Sequence, residues 1–207
     1  MLKKDFITVI LPYHKKKKFF QETINSIIRQ SYKNYELIVV YDDEDKSDLE
    51  HIKKILKNVK KKNIKLIINN KNLGVGLSRN KAIKFAKGNY LAFCDADDKW
   101  KINKLDYQLK FMKKNNIQFS HSSYDIIDQY SYKIGEFNVA SKIDYSDLIK
   151  SCDIGLSSVM ISKKIMKNYN FSNLKTKEDY LLWLRIIESV KTFKGIKKKL
   201  ISWRYLD

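Results

Sequence analysis

Short apolar segments alternate with amphipathic ones through the first half of the chain. Four segments rich in β-branched and aromatic residues predict buried strands, at 8–11, 35–41, 64–68 and 90–94. Apolar residues recur at helical spacing in four intervening or following segments, at 19–30, 47–59, 77–86 and 101–115. Strands and helices that alternate so closely predict right-handed crossovers and a mostly parallel sheet.

Local signals at the ends of these segments predict where several of them begin or stop. Pro12 has no backbone N–H, so we expect it to end the first strand. Ser47 and Glu50 have the spacing of a capping box at the start of the second helix. Gly74 and Gly76 predict a turn before the third helix.

The second half of the chain is less regular. Strand-like segments occur at 118–123, 133–137, 157–161 and 200–205, and one helical segment occurs at 177–189. These elements predict an antiparallel extension of the same sheet. Because no repeat or linker interrupts the sequence, we expect one α/β domain over residues 1–207.

Composition argues against several classes of protein, among them disordered, membrane-spanning and disulfide-rich proteins. With 43% hydrophobic residues in 207, the chain is able to bury a sizeable core. The apolar run at 7–11 is too short for a signal peptide, and no run approaches the roughly 20 residues of a membrane span. Two separated cysteines and three scattered histidines argue against a disulfide scaffold or a zinc cluster. We therefore expect a soluble protein that stays in the cytoplasm.

Lysine gives the chain a formal net charge of +19. Such an excess favours polyanionic partners, whether nucleic acid, anionic lipid or a phosphorylated ligand. The lysines are spread along the chain, however, which is also typical of solvated faces without a partner. Charge alone leaves both interpretations open.

Polar residues follow three of the predicted strands. The stretch 12–14 (PYH) follows the first strand, 42–43 (DD) the second and 95–98 (DADD) the fourth. In an open parallel sheet, ligands bind beyond the carboxyl ends of the strands. We therefore expect these stretches to form one binding edge.

The spacing of Asp95 and Asp97 indicates a cation. On an extended backbone both side chains point the same way, and two facing carboxylates need a cation or a shared proton. Mg²⁺ or Mn²⁺ accepts one or two carboxylates and completes its shell with water and phosphate oxygens. The alternative is a solvated acidic turn before the fourth helix.

Four stretches resemble the family 2 glycosyltransferases, which have the GT-A fold. They are ITVILPYH, YELIVVYDDEDKSD, NLGVGLSRNKAIKFAKGNYLAFCDADDKW and NLKTKEDYLLWLRI, in the order that the family has them. The resemblance runs from about 7 to 185. Departures are His14 for the common Asn, Tyr41 for Asp or Asn, and Glu44 with Asp45 for Gly-Ser.

The resemblance implies an inverting enzyme that moves one sugar from a nucleotide-diphosphate donor, expected to be a UDP-sugar. The acceptor would be a hydroxyl of a glycan or a lipid-linked acceptor, in cell-surface polysaccharide or lipopolysaccharide synthesis. Residues 1–100 would bind the nucleotide and residues 101–207 the acceptor. A basic surface would then suit the anionic headgroups of the inner membrane face.

The resemblance also assigns roles to individual residues. Pro12, Tyr13 and Asp42 would hold the base, with the tyrosine ring stacked on it, and Arg79 would approach the diphosphate or the sugar. Asp95 would contact sugar hydroxyls. The metal, Mn²⁺ or Mg²⁺, would be bound by Asp97, with Asp98 as a competing ligand. Asp179 would be the catalytic base, and Glu178 and Trp183 would lie on the acceptor side.

A second function class remains at this point. The charge would also suit a basic nucleic-acid-binding protein or a nucleotidyltransferase with a related sheet. No aromatic-basic RNA-binding motif is visible in the sequence, so nucleic acid is not the expected partner.

Overall fold

The computed structural model describes residues 5–59 and 63–206. Ten strands form one continuous sheet within these ranges. They are β1 (Ile7–Tyr13), β2 (Tyr35–Tyr41), β3 (Ile64–Ile68), β4 (Tyr90–Phe93), β5 (Lys99–Trp100), β6 (Phe119–Ile127), β7 (Lys133–Phe137), β8 (Lys142–Ile143), β9 (Met160–Ser162) and β10 (Phe193–Arg204).

Seven α-helices accompany the strands in the described residues. They are α1 (Lys17–Ile28), α2 (Leu49–Asn58), α3 (Val75–Phe85), α4 (Lys104–Lys114), α5 (Tyr145–Leu148), α6 (Lys163–Met166) and α7 (Glu178–Val190). None of them is both long and apolar enough to span a bilayer.

The strand order is β3-β2-β1-β4-β9-β6-β10-β5, with β7 on β6 and β8 on β10. The first four strands run parallel, as predicted, because a helix connects each to the next. Strand β9 is antiparallel to both β4 and β6 and begins the extension. Strands β6 and β10 run parallel to each other, so the extension is mixed rather than purely antiparallel.

Separate apolar clusters cover the two faces of the sheet. Alternate residues of β2 belong to different clusters, Leu37 to one and Ile38 to the other, because successive side chains of a strand point to opposite faces. Helices α1, α2 and α4 pack on the side of Leu37, and α3, α5, α6 and α7 on the side of Ile38. This burial on both faces explains why β2 is apolar throughout.

The prediction that Pro12 ends the first strand was wrong, since β1 continues to Tyr13. Backbone groups in β1 alternate between neighbours: the Tyr13 carbonyl accepts from Asp42 N in the direction of β2, and the Ile10 carbonyl accepts from Cys94 N beyond β4. Pro12 has the orientation of Ile10, and β4 ends at Phe93. No strand therefore lies opposite the Pro12 nitrogen, and the lack of an N–H there costs no strand hydrogen bond.

Two start signals also need correction. Ser47 does not cap α2; its backbone N–H donates instead to the Asp45 carboxylate in a short 3-10 turn. Helix α3 begins at Val75, two residues earlier than predicted, so Gly76 lies inside the helix. Gly74 by itself ends the preceding turn, because it adopts a positive φ of 85°, which glycine accommodates.

Candidate functional site

A cleft of about 980 Å³ lies beyond the carboxyl ends of β1, β2 and β4. The predicted residues that line it are Pro12, Tyr13, Asp42, Arg79, Asp95, Asp97 and Glu178. Further lining residues are His14, Lys16 and the segments 72–75, 173–175 and 203–206. The sheet topology thus brings together stretches that lie far apart in the sequence.

Arg79 lies between two carboxylates from different parts of the chain. Its Nη2 donates to Asp95 Oδ1 at 2.8 Å, and its Nη1 donates to Glu178 Oε1. The guanidinium carbon lies 5.3 Å from the centre of the Phe171 ring. Arg79 is almost fully buried, so these contacts fix its orientation at the floor of the cleft.

Asp97 faces the cleft and pairs with a lysine. Its Oδ2 lies 2.8 Å from the Nζ of Lys16, and the exposed fractions of the two side chains are 15% and 36%. Its backbone carbonyl accepts a hydrogen bond of 2.8 Å from Nε of Arg204. In this arrangement the Lys16 ammonium supplies the positive charge beside the carboxylate.

Asp98 lies outside the cleft. It is buried, its Oδ1 accepts from the backbone N–H of Arg204 at 2.8 Å, and Oδ2 has no hydrogen-bond partner in the described residues. Burial raises the pKa of the Asp98 carboxyl well above its ordinary value, and the charges of Asp95 and Asp97 raise it further. A role for Asp98 as the competing metal ligand therefore disagrees with its position.

Asp42 is held by a buried polar network that the sequence did not reveal. Its Oδ1 accepts hydrogen bonds of 2.8 Å from Asn69 Nδ2 and from the backbone N–H of Leu73. Asn69 also donates to Ser78 Oγ and accepts from Lys81 Nζ. This network joins the ends of β2 and β3 to α3 and so fixes the Asp42 carboxylate at the cleft wall.

The ring of Tyr13 does not have the predicted position for stacking on a base. It is fully buried, stacked on Tyr41 at 5.2 Å and in edge contact with Phe20 at 5.2 Å. Its hydroxyl donates to Asp48 Oδ2 at 2.7 Å. Burial and the Asp48 charge together raise the pKa of the Tyr13 hydroxyl far above its ordinary value.

Asp179 lies at the start of α7, next to Glu178, and is partly buried. Its Oδ1 accepts a hydrogen bond of 2.8 Å from the backbone N–H of Tyr180. Burial raises the pKa of the Asp179 carboxyl, the charges of Glu178 and Asp95 add to this, and the Tyr180 N–H and the Arg79 charge oppose it. Glu178, unlike Asp179, lines the cleft directly.

Trp183 does not lie on the acceptor side of the cleft. It is fully buried between Phe119, at 5.1 Å, and Phe171, at 6.2 Å. The apolar stripe of α7 requires this, because Leu182 and Ile186 face the same core. Trp183 is therefore a core residue.

The sequence did not single out several residues of the cleft. Trp203 and Tyr205 stand at its rim with ring centres 6.1 Å apart and are both partly exposed. Arg204, between them, donates through Nε and Nη1 to the carbonyls of Asp97 and Asp128 and joins Glu22 in an ion pair. The sequence contains one indication of these cleft residues, since three consecutive large side chains stand at the end of the last predicted strand.

The side of the cleft that holds Asp95 and Asp97 fits a hard divalent cation. Both carboxylates are partly exposed to the cleft, and oxygen donors suit Mg²⁺ and Mn²⁺. Within the described residues, no group of three or more His, Cys, Asp or Glu side chains is arranged to hold a metal by itself. A cation here would therefore depend on phosphate oxygens of a bound donor to complete its shell.

Most of the chain is similar in sequence to known glycosyltransferases. The model of the family described as Glycosyl transferase family 2 matches residues 8–184. The chain is 36% identical over 182 residues to the UDP-Glc:alpha-D-GlcNAc-diphosphoundecaprenol beta-1,3-glucosyltransferase WfgD of Escherichia coli, covering 88% of this chain and 70% of that one. It is 30% identical over 208 residues to the putative teichuronic acid biosynthesis glycosyltransferase TuaG of Bacillus subtilis, covering 99% and 81%.

Among solved structures, S. aureus TarS 1-349 in complex with UDP-GlcNAc superimposes with a TM-score of 0.80 at 19% sequence identity. The match covers 97% of this chain but only 59% of that one, which is less than two thirds. GalNAc-T7 with UDP, GalNAc and Mn²⁺ also matches, with a TM-score of 0.80 at 14% identity over 97% of this chain and 44% of that one. At these identities the likeness is one of fold.

Proposed function

The chain belongs to glycosyl transferase family 2 and has the GT-A fold, and we propose from this that it transfers one sugar from a UDP-sugar to a hydroxyl of a lipid-linked glycan. Family membership selects the glycosyltransferase class over the nucleic-acid-binding protein or nucleotidyltransferase considered from charge alone. The observation that carries the proposal is the cleft at the carboxyl ends of β1, β2 and β4, where Asp42, Arg79, Asp95 and Asp97 converge. We also propose that residues 1–207 form one domain, in which 1–100 bind the donor and 101–207 the acceptor.

The donor would lie along the strand ends. The Asp42 carboxylate is an acceptor suited to a ring N–H such as uracil presents, with Pro12 beside it in the cleft wall. Asp95, held by Arg79 at 2.8 Å, would accept hydrogen bonds from ribose or sugar hydroxyls. Arg79 would support this contact and add positive charge on the side of the diphosphate.

Asp97 would hold a divalent cation, Mn²⁺ or Mg²⁺, together with the donor phosphates. Such a cation would neutralise the negative charge that develops on the departing nucleoside diphosphate. Lys16 is within reach of Asp97, so its ammonium would be released to the diphosphate when a cation takes its place.

Asp179 would act as the base. It takes the proton from the acceptor hydroxyl as the acceptor oxygen forms a bond to the anomeric carbon, while the bond from that carbon to the diphosphate oxygen breaks and UDP leaves with the electron pair. Attack from the side opposite UDP inverts the anomeric centre. Partial burial and a raised pKa suit this role, because a stronger base accepts a proton more readily.

Glu178 would serve the acceptor side indirectly. It fixes Arg79 from α7 and lines the cleft next to the proposed base, whereas Trp183 contributes only packing beneath them. Trp203 and Tyr205 at the rim offer ring faces on which an acceptor sugar could stack.

The names of two relatives support the proposed acceptor. The Escherichia coli relative is named for a diphosphoundecaprenol-linked acceptor and the Bacillus subtilis relative for teichuronic acid biosynthesis. We therefore propose a role in cell-surface polysaccharide synthesis, with the enzyme in the cytoplasm at the inner face of the membrane.

The test is direct transfer. The protein is incubated with a panel of UDP-sugars, Mn²⁺ and a synthetic GlcNAc-diphospho-lipid, and both UDP release and glycosylated lipid are measured. We expect one UDP-sugar to give a disaccharide lipid with inverted configuration. When EDTA replaces Mn²⁺, we expect that UDP-sugar not to be consumed. Absence of transfer and of donor hydrolysis with every UDP-sugar, in a protein that is folded by circular dichroism, would refute the proposal.

A further inference from the structure

The β6–β7 hairpin carries exposed apolar side chains at its tip. The exposed fractions are 67% for Tyr130, 72% for Tyr132 and 57% for Ile134. These are three of the four highest values for large apolar residues in the described part of the chain. Large side chains exposed together on one element are typical of an interaction surface.

The tip is an ordered turn. The Asp128 carboxylate accepts from the backbone N–H groups of Tyr130, at 2.8 Å, and Tyr132, at 2.9 Å. The Ser131 hydroxyl between them lies 3.0 Å from both Glu22 carboxylate oxygens and 3.1 Å from the Arg204 guanidinium. The anchored serine and the capped backbone leave the two tyrosine rings on the outside of the turn.

Lys18, the last of four consecutive lysines at 15–18, adjoins this tip. The Nζ of Lys18 donates to Gln129 at 3.1 Å and lies 5.2 Å from the Tyr130 ring centre. Within the described residues, Lys16 and Lys17 of this run form ion pairs, whereas Lys15 and Lys18 do not. We refer to Lys18, Tyr130, Tyr132 and Ile134, together with Lys15, which is exposed in the same lysine run, as the aromatic-lysine patch.

The patch borders the cleft. Lys16, in the same run as Lys18, lines the cleft and pairs with Asp97 at 2.8 Å. Arg204 also lines the cleft, and its Nη1 donates to the carbonyl of Asp128 in the hairpin turn at 2.7 Å. A flat surface that meets the patch would therefore also lie against the rim of the cleft.

We propose that the aromatic-lysine patch docks the enzyme on an anionic phospholipid surface. Tyrosine is favoured at the membrane interface because its ring is apolar and its hydroxyl stays hydrated. Lysines beside it gain attraction to anionic headgroups, about five-fold in binding for each residue near the surface. The inference rests on the proposed function in one respect: docking by this patch would present the cleft to a lipid-linked acceptor.

Vesicle sedimentation tests the patch without any sugar substrate. The parent protein is mixed with phosphatidylcholine vesicles that contain either no anionic lipid or about one third phosphatidylglycerol, at low and at moderate salt. We expect several-fold more protein to bind the anionic vesicles, with the excess reduced by salt. The double substitution Tyr130→Ser with Tyr132→Ser should lower binding about ten-fold, and Lys15→Gln with Lys18→Gln should remove most of the anionic preference.

Matched controls come from the opposite face of the sheet, where α5 and α6 pack. Tyr145→Ser with Ile149→Ser removes two large side chains that are 45% and 52% exposed, somewhat less than the patch tyrosines, and Lys164→Gln with Lys167→Gln removes two exposed lysines. We expect both controls to bind vesicles like the parent. Equal binding of parent and patch variants would overturn the proposal, as would loss of binding in the controls to the same extent. A patch variant that keeps vesicle binding but loses self-association would instead assign the surface to a protein partner, and this too would overturn it.

UDP binding by isothermal titration separates this inference from the proposed function. The patch variants should keep the parental UDP affinity, since none of the substituted residues lines the cleft. Vesicle binding without any sugar transfer would contradict the proposed function alone. Transfer to a soluble acceptor analogue without vesicle binding would contradict the docking surface alone.

Discussion

The ammonium of Lys16 lies 2.8 Å from Oδ2 of Asp97, at the rim of the cleft. These residues come from the loop after β1 and the loop after β4, so the fold brings a cation to a carboxylate 81 positions away in the sequence. Two carboxylates and one lysine on this side of the cleft form a site whose charge balance changes when a divalent cation and a diphosphate enter. Asp97 is therefore the residue on which metal dependence should rest.

The substitution Asp97→Asn should abolish the metal dependence of UDP binding. It keeps the size of the side chain but removes the negative charge that a divalent cation requires. Isothermal titration of UDP with Mn²⁺ and with EDTA measures this, and Asp106→Asn on the exposed side of α4 is the control. A variant whose UDP affinity still falls sharply in EDTA would show that the cation is held elsewhere.

The substitution Arg79→Met should destabilise the fold and weaken donor binding. It leaves Glu178, which is mostly buried, without its partner, and breaking a buried ion pair from one side costs roughly 3–5 kcal/mol. Urea denaturation measures the loss. The double variant Arg79→Met with Glu178→Gln should recover part of the stability but not the donor affinity, and recovery of both would mean that Arg79 has no role toward the donor.

The substitution Asp42→Ala should weaken UDP binding and also lower stability. Its Oδ1 accepts from Asn69 and from the Leu73 backbone, so the change leaves buried donors unpaired at a cost of roughly 1–3 kcal/mol. Asp42→Asn keeps an acceptor oxygen and is the control for the fold. UDP affinity and urea denaturation are measured on both, and an Asp42→Ala variant with parental UDP affinity would remove the carboxylate from the base-binding role.

Lys104 should make stability depend on pH. It is fully buried, its Nζ donates to Gln108 at 2.9 Å and lies 4.2 Å from the Trp100 ring, and burial lowers the pKa of its ammonium to about 7. The unfolded chain keeps an ordinary lysine pKa of about 10.4, so between these values the unfolded state binds more protons. The free energy of unfolding should therefore rise with pH from about 7 to about 10, by up to about 1.4 kcal/mol per unit.

The matched variant for that effect is Lys104→Met, which removes the titrating group and keeps an unbranched side chain of similar length. Its free energy of unfolding, measured by urea denaturation, should exceed that of the parent most below pH 7. This difference should shrink as the pH rises. If the difference between the two proteins is constant from pH 6 to pH 9, the ammonium keeps an ordinary pKa in the folded state.

The sequence predicted the strands best where burial is complete. The run Tyr35–Tyr41 matched β2 at both ends, because a strand covered on both faces is apolar at every position. Strand β10 runs for 12 residues, of which the sequence indicated only the last few, because lysines at 197–199 interrupt the apolar pattern. Its neighbour β6 has buried serines at 120, 122 and 123, which sequence propensity does not associate with a core.

At the site, the sequence predicted which edge of the sheet forms the cleft, but not the side-chain contacts between the segments that meet there. The strand ends at Asp42 and Asp95 could be placed because the carboxyl ends of parallel strands share one edge. The burial of the Tyr13 ring depends on Tyr41 and Phe20, and the isolation of Asp98 depends on the backbone of Arg204. Both contacts arise between distant segments, for which one sequence carries no signal.

The most direct test of the proposed function is the substitution Asp179→Asn. A base for the acceptor hydroxyl needs an ionisable carboxylate, and loss of a positioned base typically lowers the rate ~10²–10⁴-fold. Because partial burial raises the pKa of Asp179, the parental rate should increase with pH through a pKa above the ordinary aspartate value, as the carboxylate ionises. Exposed Asp147→Asn on α5 is the control.

The decisive measurement compares UDP affinity and sugar transfer in the parent and in Asp179→Asn, both with Mn²⁺. We predict that the variant binds UDP like the parent, since Asp179 is assigned to the acceptor side, yet transfers almost no sugar to the lipid-linked acceptor. Transfer by the variant at the parental rate, with the parental pH profile, would show that Asp179 is not the base.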